Sequence, residues 1–291
     1  MSVLKGVGVA IVTPFENDGS VDFVALGKVI EYIIKSKVDY VVTLGTTGET
    51  ATLTEKEKLA VLNFTYDQIN GRMPIVVGIG GNNTAEVINT IQEWPLEKAE
   101  AILSVSPYYN KPSQEGIYQH YAAIAKSTDK NIILYNVPGR TSSNISAETT
   151  IRLAKDFKNI IGTKEASGNM VQCMHLIKDR PAGFLLVSGD DHITLPLMAC
   201  GFDGVISVAA NCFAAEFSEL VHLAGEGNFA AASVLQSKLL DGFDLLFAEN
   251  NPAGVKAFMA EMGLIKNNLR LPLLPLSAGW HEKVKAFLKA G

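Results

Sequence analysis

Eight short, nearly uncharged runs rich in Val, Ile and Leu recur along this 291-residue chain, and amphipathic segments fill the intervals between them. The runs span residues 7–14, 40–46, 74–81, 100–107, 131–138, 160–167, 184–191 and 204–210, and most close on Gly, Pro, Thr or Ser. Apolar runs of this length read as strands buried on both faces, as in a parallel sheet. The intervals carry the helical period. Residues 22–35 set Phe23, Leu26, Val29, Ile30 and Ile33 on one face, Thr54 opens a helix with Glu57 at capping-box spacing, and 113–127 and 146–157 each begin on Ser. Eight strand–helix units predict an α/β fold, a (β/α)8 or TIM barrel over residues 1–227. A doubly wound open sheet competes, but it usually opens on a dinucleotide glycine turn, and the first run here ends in Thr13-Pro14-Phe15. Three further helical stretches, at 230–248, 252–262 and 278–289, predict a C-terminal helical extension over 228–291, packed on the barrel.

Composition narrows the partners. A net charge of -5 with no basic run argues against nucleic acid or an anionic membrane. No apolar stretch approaches the ~20 residues of a membrane span, and no secretory signal pattern opens the chain. Cys173, Cys200 and Cys212 show no CxxC spacing, so they read as reduced thiols filling small apolar gaps in a cytoplasmic protein. The five histidines, 120, 175, 192, 222 and 281, lack metal-ligand spacing, so no metal is expected.

In a barrel the chemistry collects where strands end. Those ends carry Gly45-Thr46-Thr47-Gly48-Glu49, Tyr108-Tyr109-Asn110, Tyr135-Asn136-Val137-Pro138-Gly139-Arg140 and Gly162-Thr163-Lys164-Glu165. Alternation in the sixth run puts Gly162, Lys164 and Ala166 on one face and Thr163 and Glu165 on the other. Small neighbours leave room inside the barrel for a ligand against the Lys164 amine. Burial in an apolar mouth penalises a cation and favours the neutral amine, which attacks ketones to form a Schiff base. The structural alternative is a lysine paired with a carboxylate on a neighbouring strand; the hydroxyls gathered on the same rim favour the catalytic reading. Tyr135 is the best placed proton relay. Thr46 and Thr47 suit a small carboxylate, and Arg140 offers a fork for a second one. Each has a plainer alternative: a core tyrosine, turn-forming threonines, a surface arginine.

These motifs, with Ser188-Gly189-Asp190-Asp191, Asn251-Pro252 through Lys256, and Leu269-Arg270-Leu271-Pro272, follow one another as in the dihydrodipicolinate synthase family of pyruvate-dependent class I aldolases, which the chain resembles over essentially its whole length. The resemblance implies condensation of pyruvate with L-aspartate 4-semialdehyde, the first committed step towards diaminopimelate and lysine, with no cofactor beyond the covalent imine at Lys164. It implies that Tyr135 donates and accepts the proton, that Thr46 and Tyr109 complete a hydroxyl relay, and that Tyr109 serves a neighbouring subunit of a homotetramer built as a dimer of dimers. Thr47 would hold the pyruvate carboxylate, the Ile206 backbone would contact the Schiff base, and Arg140 would receive the second carboxylate.

A sibling lyase acting on a sugar acid, of the N-acetylneuraminate or 2-keto-3-deoxygluconate type, would keep the lysine and the tyrosine. The Thr46-Thr47 pair and Arg140 suit a small second carboxylate better than a polyol. A phosphate-binding barrel would place a cation-friendly turn where this chain has Gly189-Asp190-Asp191. A binding or scaffold barrel would form no covalent adduct with pyruvate. The resemblance also implies an allosteric lysine pocket, matched here by Thr50, Ala51, Asn82, Glu86 and Tyr108. Where lysine-inhibited bacterial relatives carry two histidines, this chain has Glu55 and Lys58. A permanent cation there would repel the ammonium of lysine, so weak or absent inhibition is expected.

Overall fold

The computed structural model describes residues 3–290. The chain runs β1 (Gly6–Ala10), α1 (Phe23–Lys35), β2 (Tyr40–Thr43), α2 (Glu55–Ile69), β3 (Ile75–Gly78), α3 (Thr84–Glu93), β4 (Ala101–Val105), α4 (Gln114–Lys126), β5 (Asn131–Asn136), the single turn α5 (Pro138–Thr141), α6 (Ala147–Asp156), β6 (Ile160–Glu165), α7 (Met170–Asp179), β7 (Leu185–Ser188), α8 (Thr194–Cys200), β8 (Gly204–Ser207) and α9 (Ala214–Gly225). Three more helices follow: α10 (Phe229–Phe247), α11 (Ala253–Glu261) and α12 (Ala278–Ala290). The eight strands close into one parallel barrel in sequence order, with β1 paired to β8 from Gly6 opposite Gly204 to Val9 opposite Ser207. This is the (β/α)8 barrel that the eight apolar runs predict, with a helical extension at its C-terminus.

Why the runs look continuously apolar is visible in the packing. Alternate residues serve two cores. Ala10, Tyr40, Val42, Val76, Leu103, Ile133, Leu185, Val187 and Ile206 fill the barrel interior. Val7, Val9, Val41, Val77, Ile102, Ile132, Leu134, Leu186 and Val205 point outward and meet the helices. With both faces dry, no polar alternation survives in the sequence. Local signals set the helix starts. The Asp22 carboxylate accepts from Ala25 N at 2.8 Å, the Thr54–Glu57 capping box is formed, and Ser113 and Ser146 cap α4 and α6. Phe213 of the loop before α9, Phe217 of α9, Phe243 of α10, Phe258 of α11 and Phe287 of α12 pack ring to ring at centroid distances of 5.1–5.8 Å, which seats the extension on the barrel's helical layer. Cys173 and Cys212 are buried as small hydrophobes, whereas Cys200, at the end of α8, is exposed. No helix among the described residues is long and apolar enough to cross a membrane.

Candidate active site

β6 divides its side chains as the alternation requires. Thr163 turns outward and donates to Leu134 O at 3.4 Å. Glu165 also turns outward, accepting from Asn136 Nδ2, Gln172 Nε2 and Ser167 N at 2.8–3.1 Å. The carboxylate next to Lys164 in sequence is therefore spent on the layer outside the barrel. Lys164 points inward, 5% exposed, and pairs in register with Tyr135 of β5. Its Nζ lies 4.2 Å from the centre of the Tyr135 ring. Among the described residues it has no carboxylate partner, so the structural alternative of a paired lysine is not what the fold builds. The glycine after β7 is needed here. A Cβ on Gly189 would sit 2.9 Å from Lys164 Cε and 2.7 Å from Ala166 Cβ, inside the space that the amine uses.

The amine opens into a cavity of ≈ 870 Å3 at the C-terminal mouth of the barrel. Lys164, Tyr135, Thr46, Thr47 and Arg140 all line it. Two expected residues do not. Ile206 lies on β8 in the interior core, 1% exposed, and is not part of the cavity wall. Tyr109, on the loop after β4 with φ of 71°, is 88% exposed and lies outside the wall of its own chain's cavity. Four of the residues implied for a lysine pocket, Thr50, Ala51, Lys58 and Tyr108, line the same mouth. Asn82 donates to Tyr108 O at 3.1 Å, and Glu86 is exposed in the first turn of α3. Glu55 is held between Lys58, at 3.8 Å, and Trp94 Nε1, at 2.5 Å.

The threonine turn is a short 3-10 segment, Thr46–Gly48, joined to a second one, Thr50–Thr52, through Glu49 in a left-handed conformation with φ of 52°. Such a residue costs about 1 kcal/mol or more without support, and the surroundings supply it. Thr13 donates to Gly48 O at 2.7 Å and Thr50 to Gly45 O at 3.0 Å. The Glu49 carboxylate accepts from Arg270 N at 3.0 Å and forms an ion pair with Lys256, both side chains wholly buried. Burial pushes the Lys256 ammonium down to about 8 against the pull of Glu49, and its Nζ also donates to Asn268 O at 3.0 Å. Asn251 Nδ2 donates to Thr47 Oγ1 at 3.0 Å. The C-terminal extension thus builds part of the site, adding Phe247, Asn250, Asn251, Pro272 and Leu273 to the wall. Sequence reasoning treats that extension only as packing. The available signal was a lysine inside the apolar stretch Gly254-Val255-Lys256-Ala257-Phe258.

The end of β7 explains why this mouth does not suit a phosphate. The Asp191 carboxylate accepts from the backbone N–H groups of Val208 and Ala209, at 3.1 and 2.9 Å, just after β8. Those are donors of the kind that barrels offer to phosphate, and here a buried carboxylate occupies them. Burial pushes the Asp191 carboxyl up. Asp190, in the cavity wall, is also drawn up by burial, but its hydrogen bond and charge contact with His192 outweigh this and hold it below its ordinary value.

A closed (β/α)8 barrel whose mouth presents a buried lysine against a tyrosine ring, unpaired among the described residues and with hydroxyls and an arginine around it, fits a lyase of the lysine-dependent aldolase type. The comparisons narrow this. The sequence profile described as the dihydrodipicolinate synthetase family matches residues 3–291, and the chain belongs to that family. It is 51% identical over 286 residues to a 4-hydroxy-tetrahydrodipicolinate synthase of Parabacteroides distasonis, covering 98% of this chain and 96% of the relative. It is 48% identical over 289 residues to the enzyme of the same description from Flavobacterium psychrophilum, covering 99% of each. Among solved structures, the dihydrodipicolinate synthase of Thermotoga maritima superposes with a TM-score of 0.96 at 39% identity, covering 99% of both chains. Likeness of this extent supports the synthase reading over a sugar-acid lyase.

Proposed function

We propose that the chain condenses pyruvate with L-aspartate 4-semialdehyde, as the relatives' description implies, through a Schiff base at Lys164. The observation that carries this is the Lys164 amine, buried over the Tyr135 ring, without a carboxylate partner among the described residues, and open to the cavity. In this reading Nζ attacks the ketone carbon of pyruvate and water leaves as the imine forms. Loss of a methyl proton gives the enamine, whose carbon bonds to the aldehyde carbon of the second substrate. The amine of that substrate then attacks the imine carbon, closes the ring and releases Lys164. No further cofactor is required, because the imine itself accepts the electron pair of the lost proton.

The other residues take the roles that their positions allow. Tyr135 moves protons at the nitrogen and the adjacent carbons. Thr46 extends the relay, and Tyr109 completes it from a partner subunit, a role that fits its exposure and its place outside its own cavity. Thr47 donates to the pyruvate carboxylate, and Arg140 at the mouth receives the second carboxylate bidentately. The assembly proposed is a homotetramer arranged as a dimer of dimers. Borohydride reduction in the presence of pyruvate, followed by peptide mass spectrometry, tests the mechanism: one reduced pyruvyl group at Lys164 is expected. No adduct, or an adduct at another lysine, would refute it.

A further inference from the structure

We infer that Asn251 is a positioning residue for the pyruvate-carboxylate site, fixing the direction in which the Thr47 hydroxyl donates. The inference rests on the proposed role of Thr47. A threonine hydroxyl has one proton to give and two lone pairs to offer. Asn251 Nδ2 donates to Thr47 Oγ1 at 3.0 Å, so one lone pair is occupied by an N–H. The hydroxyl proton cannot then be aimed at that amide nitrogen, and among the described residues no acceptor takes it. It is left for the cavity that Thr47 lines. Carboxylate oxygens only accept, so a hydroxyl held as a donor selects a carboxylate at this point.

Two further observations indicate that the amide serves the site rather than the fold. Among the described residues Asn251 Oδ1 finds no hydrogen-bond partner although it is buried, which burdens the folded state. The loop that carries it is also tightly placed. A Cβ on Gly254 would fall 2.3 Å from Leu246 O, so the start of α11 presses against the last carbonyls of α10. One turn further on, Lys256 binds Glu49, two positions beyond Thr47. The extension thus grips the threonine turn at two points, and of the two only the Asn251 contact is made to a hydroxyl of the cavity wall.

The test is a comparison of Asn251→Ala, Asn251→Asp, Thr47→Val and the double variant Asn251→Ala/Thr47→Val. Steady-state kinetics, pyruvate-dependent borohydride trapping and melting temperature are read for each. Losing one neutral hydrogen bond should raise the KM for pyruvate in Asn251→Ala by roughly 2- to 12-fold, with kcat, the KM for the aldehyde and the melting temperature little changed. Asn251→Asp is nearly isosteric, but its carboxylate would take the Thr47 proton and set a like charge beside pyruvate. Its KM should exceed that of Asn251→Ala. In the Thr47→Val background, Asn251→Ala should add almost nothing, because its partner is already gone. Fully additive effects, or Asn251→Asp no worse than Asn251→Ala, would overturn the inference. So would a loss of melting temperature and kcat at unchanged KM, which is the signature of a merely structural amide. If Thr47→Val raises the KM and Asn251→Ala does not, the positioning role alone fails. If Thr47→Val leaves the KM unchanged, the carboxylate assignment fails and takes this inference with it. The trapping curve on Asn251→Ala keeps the test decisive should Asn251→Asp not fold.

Discussion

Lys256→Met removes one partner of a wholly buried ion pair and leaves the other charged in the dry interior. Glu49 would keep only the Arg270 N–H at 3.0 Å and the more distant field of the Arg270 guanidinium, which is itself engaged with Glu57 at 3.0 Å, Gly19 O at 2.7 Å and Thr52 O at 2.8 Å. Breaking a buried pair in this way costs about 3–5 kcal/mol. For a chain of this size, each kcal/mol lowers the melting temperature by about 2 °C, so a fall of roughly 6–10 °C is expected by calorimetry. Because Glu49 is the left-handed joint of the threonine turn, the KM for pyruvate should also rise. The double variant Glu49→Gln/Lys256→Met leaves no buried charge and should recover much of the lost stability, while Thr47 stays less well placed. If Lys256→Met melts within 2 °C of the parent, or if the double variant loses the sum of the two single losses, the reasoning from an uncompensated charge is wrong.

Gly189→Ala places a methyl 2.9 Å from Lys164 Cε, so the amine must shift; kcat should fall on the order of 10²-fold with the fold retained, and a parental kcat would show that Lys164 does not work from this position. Mixing inactive Lys164→Ala chains with inactive Tyr109→Phe chains should restore activity through hybrid sites, and no recovery after verified subunit exchange would count against a role in trans. His192 is raised above its ordinary value, chiefly by its hydrogen bond to Asp190 and secondarily by that to Asp244. Its stabilisation is therefore present below the unfolded value of about 6.5 and is lost as pH rises through the folded one, so the melting gap between parent and His192→Gln should be wider at acid than at alkaline pH; a constant gap would refute the pairing. Lys58 lines the mouth with Glu55 only 3.8 Å away, and activity at sub-saturating pyruvate should resist sub-millimolar lysine. Strong inhibition there would show that Lys58 leaves the pocket open.

What was legible in the sequence was what repeats or alternates. Eight apolar runs at a steady interval state the barrel, and two-residue periodicity inside the sixth puts Lys164 indoors and Glu165 outdoors, as the hydrogen bonds that Glu165 accepts from Gln172 and Ser167 also require. Ser113, Ser146 and the Thr54–Glu57 pair mark helix starts because their hydrogen bonds reach only three residues along the chain. Asn251 was not legible as a site residue, because its partner Thr47 lies 204 positions away and no local pattern relates them. Cys200 reads like the other two cysteines, yet it sits at the exposed end of α8, where one turn of helix decides between core and surface. Tyr109 is exposed and left-handed in its loop, a geometry that no residue type in Tyr108-Tyr109-Asn110 demands.

The two buried lysines show why burial alone could not have located the chemistry. Lys164 and Lys256 are both nearly or wholly inaccessible, and each holds its Nζ 4.2 Å from the centre of an aromatic ring, Tyr135 in one case and Phe15 in the other. What separates them is the company beyond the ring. Lys256 has a carboxylate and a carbonyl, no place in the cavity wall and an architectural task, the fastening of α11 to the threonine turn. Lys164 has a tyrosine that carries a proton of its own, a glycine that keeps space open, and a cavity in front of it. A carboxylate seated on Nζ occupies the position from which the amine would attack a ketone, and among the described residues Lys164 has none. In the proposed mechanism, therefore, one buried lysine holds the threonine turn from the C-terminal extension while the other reacts beside it.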